Sequence, residues 1–431
     1  MGDAGLFQEL VWRGMVHQVT DPELATVLAE GPTTAYHGID ATADSLHVGH
    51  LVGLVTLQRL QQAGHRPIAL LGGGTSLIGD PSFKAEERPL LGVGEIEANT
   101  RGIRAQVERL LDTGSGPAGG TGALVVDNAE WLARFPLTDF LRDVGKHFRV
   151  NALLTRDAVR SRLVEREQGL SFTEFSYALL QAYDFLHLFD TEGCRLQLGG
   201  SDQWSNITGG IDLVRRTRGQ RVFGVTWPLM TKDDGMKFGK TESGAVWLDP
   251  ARTTPYAFFQ FWLRTDDADV VRHLRALTFL ERRRIDELEE EVQRSPENRV
   301  AQRVLARELT TAVHGSAECE RAERAARSLY EGDLRSLDER DLLAALAEAP
   351  SSDVSRDTLA SVGVSLVELL AETGLVASRS AARTAIGQGA VSVNGTREDD
   401  VDRRLGPADL LAGAYLVLRR GKREYHLVRT R

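Results

Sequence analysis

The sequence predicts an α/β protein whose first half forms a doubly wound parallel sheet, and three observations support this class. Short apolar segments alternate with helical patterns through about residue 250, as in βαβ units. Glycine-rich turns follow these segments, at the positions where open α/β sheets bind ligands. The chain has 431 residues, more than one core holds, so we expect two or three domains.

Composition narrows the class of protein. A chain that is 42% hydrophobic and 26% charged is typical of a soluble globular protein. No segment approaches the ~20 apolar residues of a membrane span, and the N-terminus has no signal-peptide pattern, so we expect a cytoplasmic protein without a membrane partner. Cys194 and Cys319 have no metal-binding or disulfide spacing. A net charge of −9 argues against a protein that coats nucleic acid, although a local basic patch could bind it.

The first predicted unit follows an N-terminal helical stretch over residues 1–30. A strand is predicted over residues 34–39, then a polar turn, then a helix over residues 46–63. We expect Asp44 or Ser45 to cap this helix, so that its free N–H groups and positive dipole end face an anion.

Two histidines lie in the first turn of this predicted helix. His47 and His50 are three residues apart, where each can donate a hydrogen bond to phosphate or stack beside a purine. Gly49 between them lets a flat ring approach the backbone. The alternative is that the two histidines are only polar caps.

The surrounding residues favour a nucleotide site. The run G-I-D-A-T-A-D-S-L-H-V-G-H over residues 38–50 resembles the HIGH signature of class I aminoacyl-tRNA synthetases, and its flanks resemble the bacterial tyrosyl-tRNA synthetase family. The resemblance implies ATP as a substrate, with Mg²⁺ as its counterion. The chain departs from the family pattern at Ala41, where proline is usual, and at His37. From this segment the resemblance implies that Thr42, His47 and His50 are catalytic residues. It implies that Tyr36, Gly38 and Asp40 bind tyrosine and that Gly49 binds ATP.

A second glycine-rich turn, residues 72–82, follows an apolar strand predicted over residues 67–71. Asp80 in this turn could hold an α-amino group, although an aspartate before proline is equally typical of a plain turn. By resemblance, Asp80 binds the substrate amine and Lys84 is a catalytic residue of a mobile loop. Phe83 stands where the family usually has glycine.

The next segments continue the alternation of strands and helices. Residues 114–122 are predicted to form an exposed loop of no chemical importance. A strand is predicted over residues 123–126, and helices over residues 136–148 and 155–168.

A helix predicted over residues 171–186 carries a polar stripe. Tyr177, Gln181 and Asp184 fall on one face, and Phe175, Leu179 and Leu186 can face the core. The stripe is either a satisfied core network or an amino-acid pocket. In the second case Tyr177 and Gln181 reach an amine, while Asp184 and Tyr36 recognise a ligand hydroxyl. The arrangement is similar to the tyrosine pocket of the family.

Two further motifs resemble the same family. The run G-G-S-D-Q-W at residues 199–204 implies that Asp202 holds ribose and Gln203 the carboxylate region of the substrate, with Ser205 replacing the usual glycine. Only six residues are lysine, and four of them lie in turns near the proposed site. The run K-F-G-K-T at residues 237–241 resembles the KMSKS loop of class I synthetases. This resemblance implies that Lys237 and Lys240 are catalytic residues and that both bind ATP together with Thr241. Alone, this run would be read as a solvated turn.

The C-terminal half changes character. The helices predicted from about residue 254 to 349 are rich in charged residues. A solvent-exposed helical bundle accounts for these charges without a functional role. Residues 365–431 contain 11 Lys and Arg against 8 Asp and Glu, a surplus of +3 that suggests phosphate-backbone contact. We expect two short helices, a strand over residues 390–393 and a closing hairpin there. The candidate RNA-binding residues are Arg379, Arg383, Arg420, Lys422 and Arg423.

The predicted domains are a Rossmann-type catalytic domain over residues 1–248, a helical domain over 249–349, a linker over 350–364 and an S4-like RNA-binding domain over 365–431. The resemblance implies a homodimer that activates L-tyrosine with ATP and transfers it to tRNA(Tyr). No carboxylate cluster in the sequence predicts a dedicated metal site. Two other classes stay open: an adenylate-forming enzyme that needs no RNA, and an RNA-binding or regulatory protein without activity. The helical and S4-like regions argue against the first class, and the signature lysines argue against the second.

Overall fold

The computed structural model describes residues 5–80, 90–114, 122–154, 171–230, 240–241, 244–421 and 424–431, and for residues 240–241 it describes the backbone alone. The chain divides into two compact units. The first contains residues 1–252 and 265–305, and the second contains residues 253–264 and 306–431. The four-part domain division stays a prediction. No helix in the described ranges is long and apolar enough to cross a bilayer.

A six-stranded sheet organises the first unit, and its order is β1-β6-β5-β2-β3-β4. Strands β2 to β6 run parallel, and β1 pairs with β6 in the antiparallel direction. The strands are β1 Gln18–Val19, β2 Thr34–Asp40, β3 Arg66–Gly72, β4 Leu124–Asp127, β5 Leu196–Gly200 and β6 Phe223–Trp227. The predicted doubly wound α/β class is therefore confirmed, while the short edge strand β1 was not predicted. A separate hairpin pairs β7 Lys240–Thr241 with β8 Gly244–Ala245.

Helices cover both faces of this sheet, since buried apolar residues on the strands pack against them. These helices are α1 Leu6–Trp12, α2 Leu24–Glu30, α3 Leu51–Gln62, α4 Val93–Leu110, α5 Ala129–Leu132, α6 Leu137–Asp143, α7 Val150–Leu154, α8 Phe172–Glu192 and α9 Trp204–Arg218. The helix expected over residues 155–168 and the loop core at residues 115–121 lie outside the described residues.

The helix after β2 begins later than expected. Residues Val48–His50 form a 3-10 turn and α3 starts at Leu51, so the predicted start at residue 46 is wrong. The Leu46 N–H donates to Gln106 Oε1 at 2.9 Å, and the Val48 N–H donates to the Val246 carbonyl at 2.9 Å. These long-range bonds hold the segment extended. Neither Asp44 nor Ser45 caps the helix; the His47 side chain caps the 3-10 turn instead.

Helix α8 contains the polar stripe. Ser171 caps it by accepting a hydrogen bond from the Glu174 N–H, and Gly193 ends it in the left-handed conformation. Its core side is formed by Ala182, Phe185, Leu186 and Leu188. Of the three apolar residues expected to face the core, Leu186 is buried, whereas Phe175 and Leu179 are only half-buried.

The second unit begins with helices and ends with a five-stranded sheet. Its apolar core lies between the last two helices and that sheet. The helices of the C-terminal half of the chain are α10 Pro255–Leu263, α11 Asp267–Leu277, α12 Arg282–Arg294, α13 Val300–His314, α14 Ser316–Glu331, α15 Glu339–Ala345, α16 Arg356–Ser361, α17 Leu366–Glu372 and α18 Arg379–Gly387. Of these, α11 and α12 belong to the first unit.

The C-terminal sheet has the order β12-β11-β14-β15-β9. The predicted closing hairpin is present. A second hairpin turns at Asn394 and Gly395, and both residues have positive φ as a tight turn requires. Residues 350–364 were expected to be a linker, but they form β9 and α16, because β9 pairs in parallel with the last strand of the chain. The strands are β9 Ser351–Val354, β10 Val364–Ser365, β11 Val391–Val393, β12 Thr396–Glu398, β13 Arg404–Leu405, β14 Tyr415–Arg420 and β15 Glu424–Thr430.

The turn at Arg13 is a buried junction within the first unit. The Arg13 guanidinium is 4% exposed and donates to the carbonyls of Arg275, Thr278 and Leu280 at 2.8–2.9 Å. Its Nε donates to Glu9 at 2.6 Å. Burial lowers the pKa of Arg13 from its ordinary value.

Replacing Arg13 tests this junction. We expect Arg13→Met to lower the free energy of unfolding by about 3 kcal/mol, because a half-buried carboxylate and three carbonyls each lose a donor. Urea denaturation followed by tryptophan fluorescence measures the change. Arg101→Met, at an exposed position on α4, is the control. Equal stability of the two variants would contradict a structural role for Arg13.

Candidate active site

A cavity of about 340 Å³ opens at the carboxyl ends of the parallel strands. It lies at β2 and β5, where the chain changes from building one side of the sheet to building the other, which is the usual ligand position in doubly wound folds. Most predicted site residues line it: Tyr36, Gly38, Asp40, Thr42, His47, Gly49, His50, Asp80, Tyr177, Gln181, Asp184, Asp202 and Gln203.

Asp184 of α8 is the most deeply buried acid of the cavity, at 1% exposure. Burial raises its pKa to about 7, while hydrogen bonds from Asn128 and Trp131 act in the opposite direction. Asn128 Nδ2 donates to one carboxylate oxygen at 2.9 Å, and Trp131 Nε1 donates to the other at 2.8 Å. Each oxygen has a second lone pair, so Asp184 can still accept a hydrogen bond from a ligand.

Asn128 extends this network to the glycine turn after β3. Its amide donates to Thr75 Oγ1 at 3.0 Å and accepts from the Gly74 N–H at 2.7 Å. Thr75 Oγ1 donates to Asp40 Oδ1 at 3.0 Å, and Tyr177 donates to Asp40 Oδ2 at 3.1 Å. The network therefore fixes both carboxylates relative to the sheet.

Three buried polar atoms of the cavity have no protein partner within the described part of the chain. They are the Tyr36 hydroxyl and the Oε1 atoms of Gln181 and Gln197. Burial, with Asp184 second, raises the pKa of Tyr36 well above its usual range, so its hydroxyl keeps its proton. Buried polar groups are normally hydrogen-bonded, and these three are available to a ligand with donors and acceptors of its own.

A second acidic group lies at the other side of the cavity. Gln203 Nε2 donates to Asp80 Oδ2 at 2.7 Å, and Asn206 Nδ2 donates to Gln203 Oε1 at 3.1 Å. Burial, with Asp80 second, raises the pKa of Asp202. Asp80 and Asp202 therefore lie close together near the carboxyl end of β5.

The two signature histidines are held with their Nε2 atoms protonated. His47 Nδ1 accepts from the Gly49 N–H at 3.0 Å, and His50 Nδ1 accepts from the His47 N–H at 3.1 Å. A neutral imidazole that accepts through Nδ1 carries its proton on Nε2. Burial lowers the pKa of His50 well below its usual value. Both rings therefore present N–H donors, which suit phosphate oxygens.

His37 has the opposite tautomer. Its Nδ1 lies 3.3 Å from the Leu198 carbonyl, which can only accept, so Nδ1 carries the proton and Nε2 is an acceptor. Burial lowers its pKa to about 4, and the ring packs edge-on against Trp227. A Cβ at Gly53 would overlap this ring, so the glycine makes room for histidine.

Sequence reasoning missed Thr75, Asn128 and Trp131. Asn128 directly follows a parallel strand, and Thr75 lies in a glycine turn, so position at a strand end was an available signal. Lys84 and Lys237 lie outside the described residues, as do Lys422 and Arg423, and the side chains of Lys240 and Thr241 are not described. Arg379, Arg383 and Arg420 belong to the second unit.

Comparison with known proteins gives one family for most of the chain. The family described as tRNA synthetases class I (W and Y) matches residues 28–331, and a tyrosine–tRNA ligase SYY-like C-terminal domain matches residues 345–428. A tyrosine–tRNA ligase of Roseiflexus castenholzii is 52% identical over 98% of this chain and 99% of its own length. That of Geobacillus stearothermophilus is 49% identical over the same shares. A C-terminally truncated mitochondrial tyrosyl-tRNA synthetase of Aspergillus nidulans is similar in structure, with a TM-score of 0.67 and 32% identity, over 76% of this chain and 94% of that chain.

The raised pKa of Asp184 predicts a pH dependence of stability. Between 3.8, the ordinary carboxyl pKa, and about 7, the unfolded side chain is ionised while the folded one keeps its proton. The folded state therefore binds more protons, and stability falls as pH rises through this window. Asp184→Asn removes the titration.

We expect the unfolding free energy of the parent protein, relative to that of Asp184→Asn, to decrease between about pH 4 and about pH 7. Urea denaturation of both proteins across this range measures the difference, in which the titration of all other groups cancels. Parallel pH profiles would contradict the raised pKa.

Proposed function

The chain belongs to the class I tRNA synthetases for tryptophan and tyrosine and is a tyrosine–tRNA ligase, and we propose how its residues carry the reaction. Tyrosine carboxylate attacks the α-phosphate of ATP, pyrophosphate leaves, and the adenylate passes tyrosine to the terminal ribose of tRNA(Tyr). The carboxylate is already ionised at neutral pH, so this step needs no general base.

Tyr36 and Asp184 recognise the phenol of the substrate. The observation that carries this assignment is the buried Tyr36 hydroxyl, which lines the same cavity as Asp184 and has no partner among the described residues. The phenol donates to the Asp184 carboxylate and accepts from the Tyr36 hydroxyl. Asn128 and Trp131 fix Asp184 from behind, so the acceptor is oriented before the ligand arrives.

The α-amino group binds at the acidic end of the pocket. Asp80, Tyr177 and Gln181 line this end together with Asp40, and a carboxylate there compensates the ammonium charge. Gly38 gives the substrate access to the backbone of β2. Gln203, held by Asn206, faces the carboxylate region of the substrate.

ATP occupies the histidine end of the cavity. His47 and His50 donate through Nε2 to phosphate oxygens, and Thr42 lines the same cavity. Gly49 lets the nucleotide approach the backbone, and Asp202 holds the ribose. Neutral donors leave much of the phosphate charge uncompensated. Lys84, Lys237 and Lys240, with Thr241, supply the remaining contacts to the phosphates, and ATP enters as its Mg²⁺ complex.

Transfer requires RNA contacts outside this cavity. Arg379 and Arg383 lie one turn apart in the first half of α18. Arg379 also forms an ion pair with Glu368 at 3.2 Å. Arg420 ends β14, and Lys422 and Arg423 follow it closely along the sequence. We assign these residues to the RNA backbone, because arginine forks match phosphate oxygens.

The enzyme acts in the cytoplasm as a homodimer. Support for the dimer comes from exposed apolar side chains within residues 137–154 and at Phe172, where 71% of Leu137 and 77% of Phe172 is accessible. Such an apolar surface suits burial against a second copy.

Tyr36→Phe tests the phenol assignment. Removing one uncharged hydrogen bond should lower kcat/KM for tyrosine up to about tenfold in pyrophosphate exchange and narrow the preference for tyrosine over phenylalanine. Tyrosyl-tRNA synthetase is itself the standard example of such hydroxyl recognition. Tyr183→Phe, on α8 but outside the cavity lining, is the matched control. An unchanged preference in Tyr36→Phe would refute the assignment.

Removing the two arginines of α18 tests the RNA assignment. In a double variant with Arg379→Ala and Arg383→Ala, we expect KM for tRNA to rise and its salt dependence to weaken, because fewer counterions are released. Tyrosine-dependent pyrophosphate exchange should stay at the parent rate. Arg335→Ala, exposed in the same unit, serves as the control. An unaltered salt dependence of aminoacylation would remove these residues from the interface.

A further inference from the structure

The turn that carries His47 is paired with a distant segment of the same unit. The Val48 N–H donates to the Val246 carbonyl at 2.9 Å, and the Leu248 N–H donates to the Leu46 carbonyl at 2.8 Å. These two bonds place Trp247 directly opposite His47, as in a pair of antiparallel strands. The position of Trp247 is therefore fixed relative to the histidine by backbone geometry.

Side chains close this pairing into a ring of contacts. The Trp247 ring meets the His47 ring edge to face, with centroids 6.0 Å apart at 66°. The Arg252 guanidinium lies 4.5 Å from the centroid of Trp247 and pairs with Asp44 at 2.5 Å. Asp44 is three residues before His47, so the contacts begin and end on the same turn. We call Asp44, Trp247 and Arg252 the Trp247 brace.

The Trp247 brace restrains a tilt of the His47 ring that the Gly49 hydrogen bond leaves open. The bond from Gly49 to Nδ1 fixes the tautomer of His47, but an imidazole can still tilt about that bond. The His50 ring lies on one side, with centroids 4.0 Å apart, and Trp247 provides a second contact. An oriented donor contributes more to a charged transition state than a mobile one, because it needs no reorganisation during reaction.

We propose that Trp247 and Arg252 are positioning residues that hold the Nε2–H donor of His47 toward the ATP phosphates. The inference rests on the proposed contact of His47 with ATP. The Asp44–Arg252 pair is 50% and 39% exposed, so its own contribution to stability is small. The Asp44–Arg252 pair instead holds the Trp247 ring in place, and the Trp247 ring in turn orients the His47 ring.

The first test separates turnover from binding. Trp247→Leu should lower kcat for tyrosine-dependent pyrophosphate exchange about tenfold while KM for tyrosine stays unchanged, because the lost orientation matters only in the transition state. Arg252→Gln should give a smaller loss in the same direction. Arg252→Lys should restore most of it, since an ammonium keeps both the charge pair and the contact with the indole face.

Arg221→Gln is the matched control. Arg221 is also a partly exposed arginine of the first unit, and it pairs with Asp21 and Glu23. Its guanidinium lies 5.8 Å from the Phe223 ring centroid, but neither Arg221 nor Phe223 lines the cavity. The same chemical change there should leave kcat at the parent value. A loss equal to that of Arg252→Gln would assign the effect to general stability and overturn the inference.

A double-mutant cycle with His47 distinguishes this inference from the function on which it rests. His47→Asn keeps an acceptor for the Gly49 N–H and removes Nε2. If the brace acts through His47, Trp247→Leu should cost little more in the His47→Asn background. Additive losses would overturn the inference and leave the His47 assignment intact. The same conclusion would follow if kcat were normal in Trp247→Leu but lowered in His47→Asn. A normal kcat in His47→Asn would overturn the His47 assignment, and the inference with it.

Discussion

The buried carboxylate of Asp184 is the constraint on which the rest of the site depends. A charge at 1% exposure is costly unless donors surround it, and here Asn128 and Trp131 supply one hydrogen bond to each oxygen. Asn128 in turn holds Gly74 and Thr75, and Thr75 holds Asp40. One acid therefore determines the relative positions of α8, the turn after β3 and the end of β2. Under the proposed phenol assignment, the substrate hydroxyl meets an acceptor that is already oriented.

The nucleotide end follows a different principle. His47 and His50 are donors at Nε2, whereas His37, which lines the same cavity, is an acceptor at Nε2. The tautomers differ because backbone N–H groups face the first two rings and a carbonyl faces the third. One residue type thus carries its proton on opposite ring nitrogens within one cavity.

Local pattern predicted most elements but failed where distant segments meet. The 3.6-residue stripe of Tyr177, Gln181 and Asp184 placed all three on the cavity, because a long helix keeps its own periodicity. The predicted start of α3 was wrong, because residues 45–48 form hydrogen bonds with Gln106 and with residues 246–249. Residues 350–364 looked like a linker because β9 is short and polar, and it becomes a strand only when the last strand of the chain lies beside it.

The sequence by itself determined the fold class, the family and the residue types of the pocket, because these depend on periodicity and on short motifs whose residues are close along the chain. Only the tertiary structure decided the protonation and orientation of those residues. The tautomer of His47, the raised pKa of Asp184 and the donors Asn128 and Trp131 depend on groups brought together from separate segments. The Arg13 junction and the pairing of His47 with Trp247 have the same origin. Burial and hydrogen-bond partners are properties of the packed chain, so no local pattern of residues contains them.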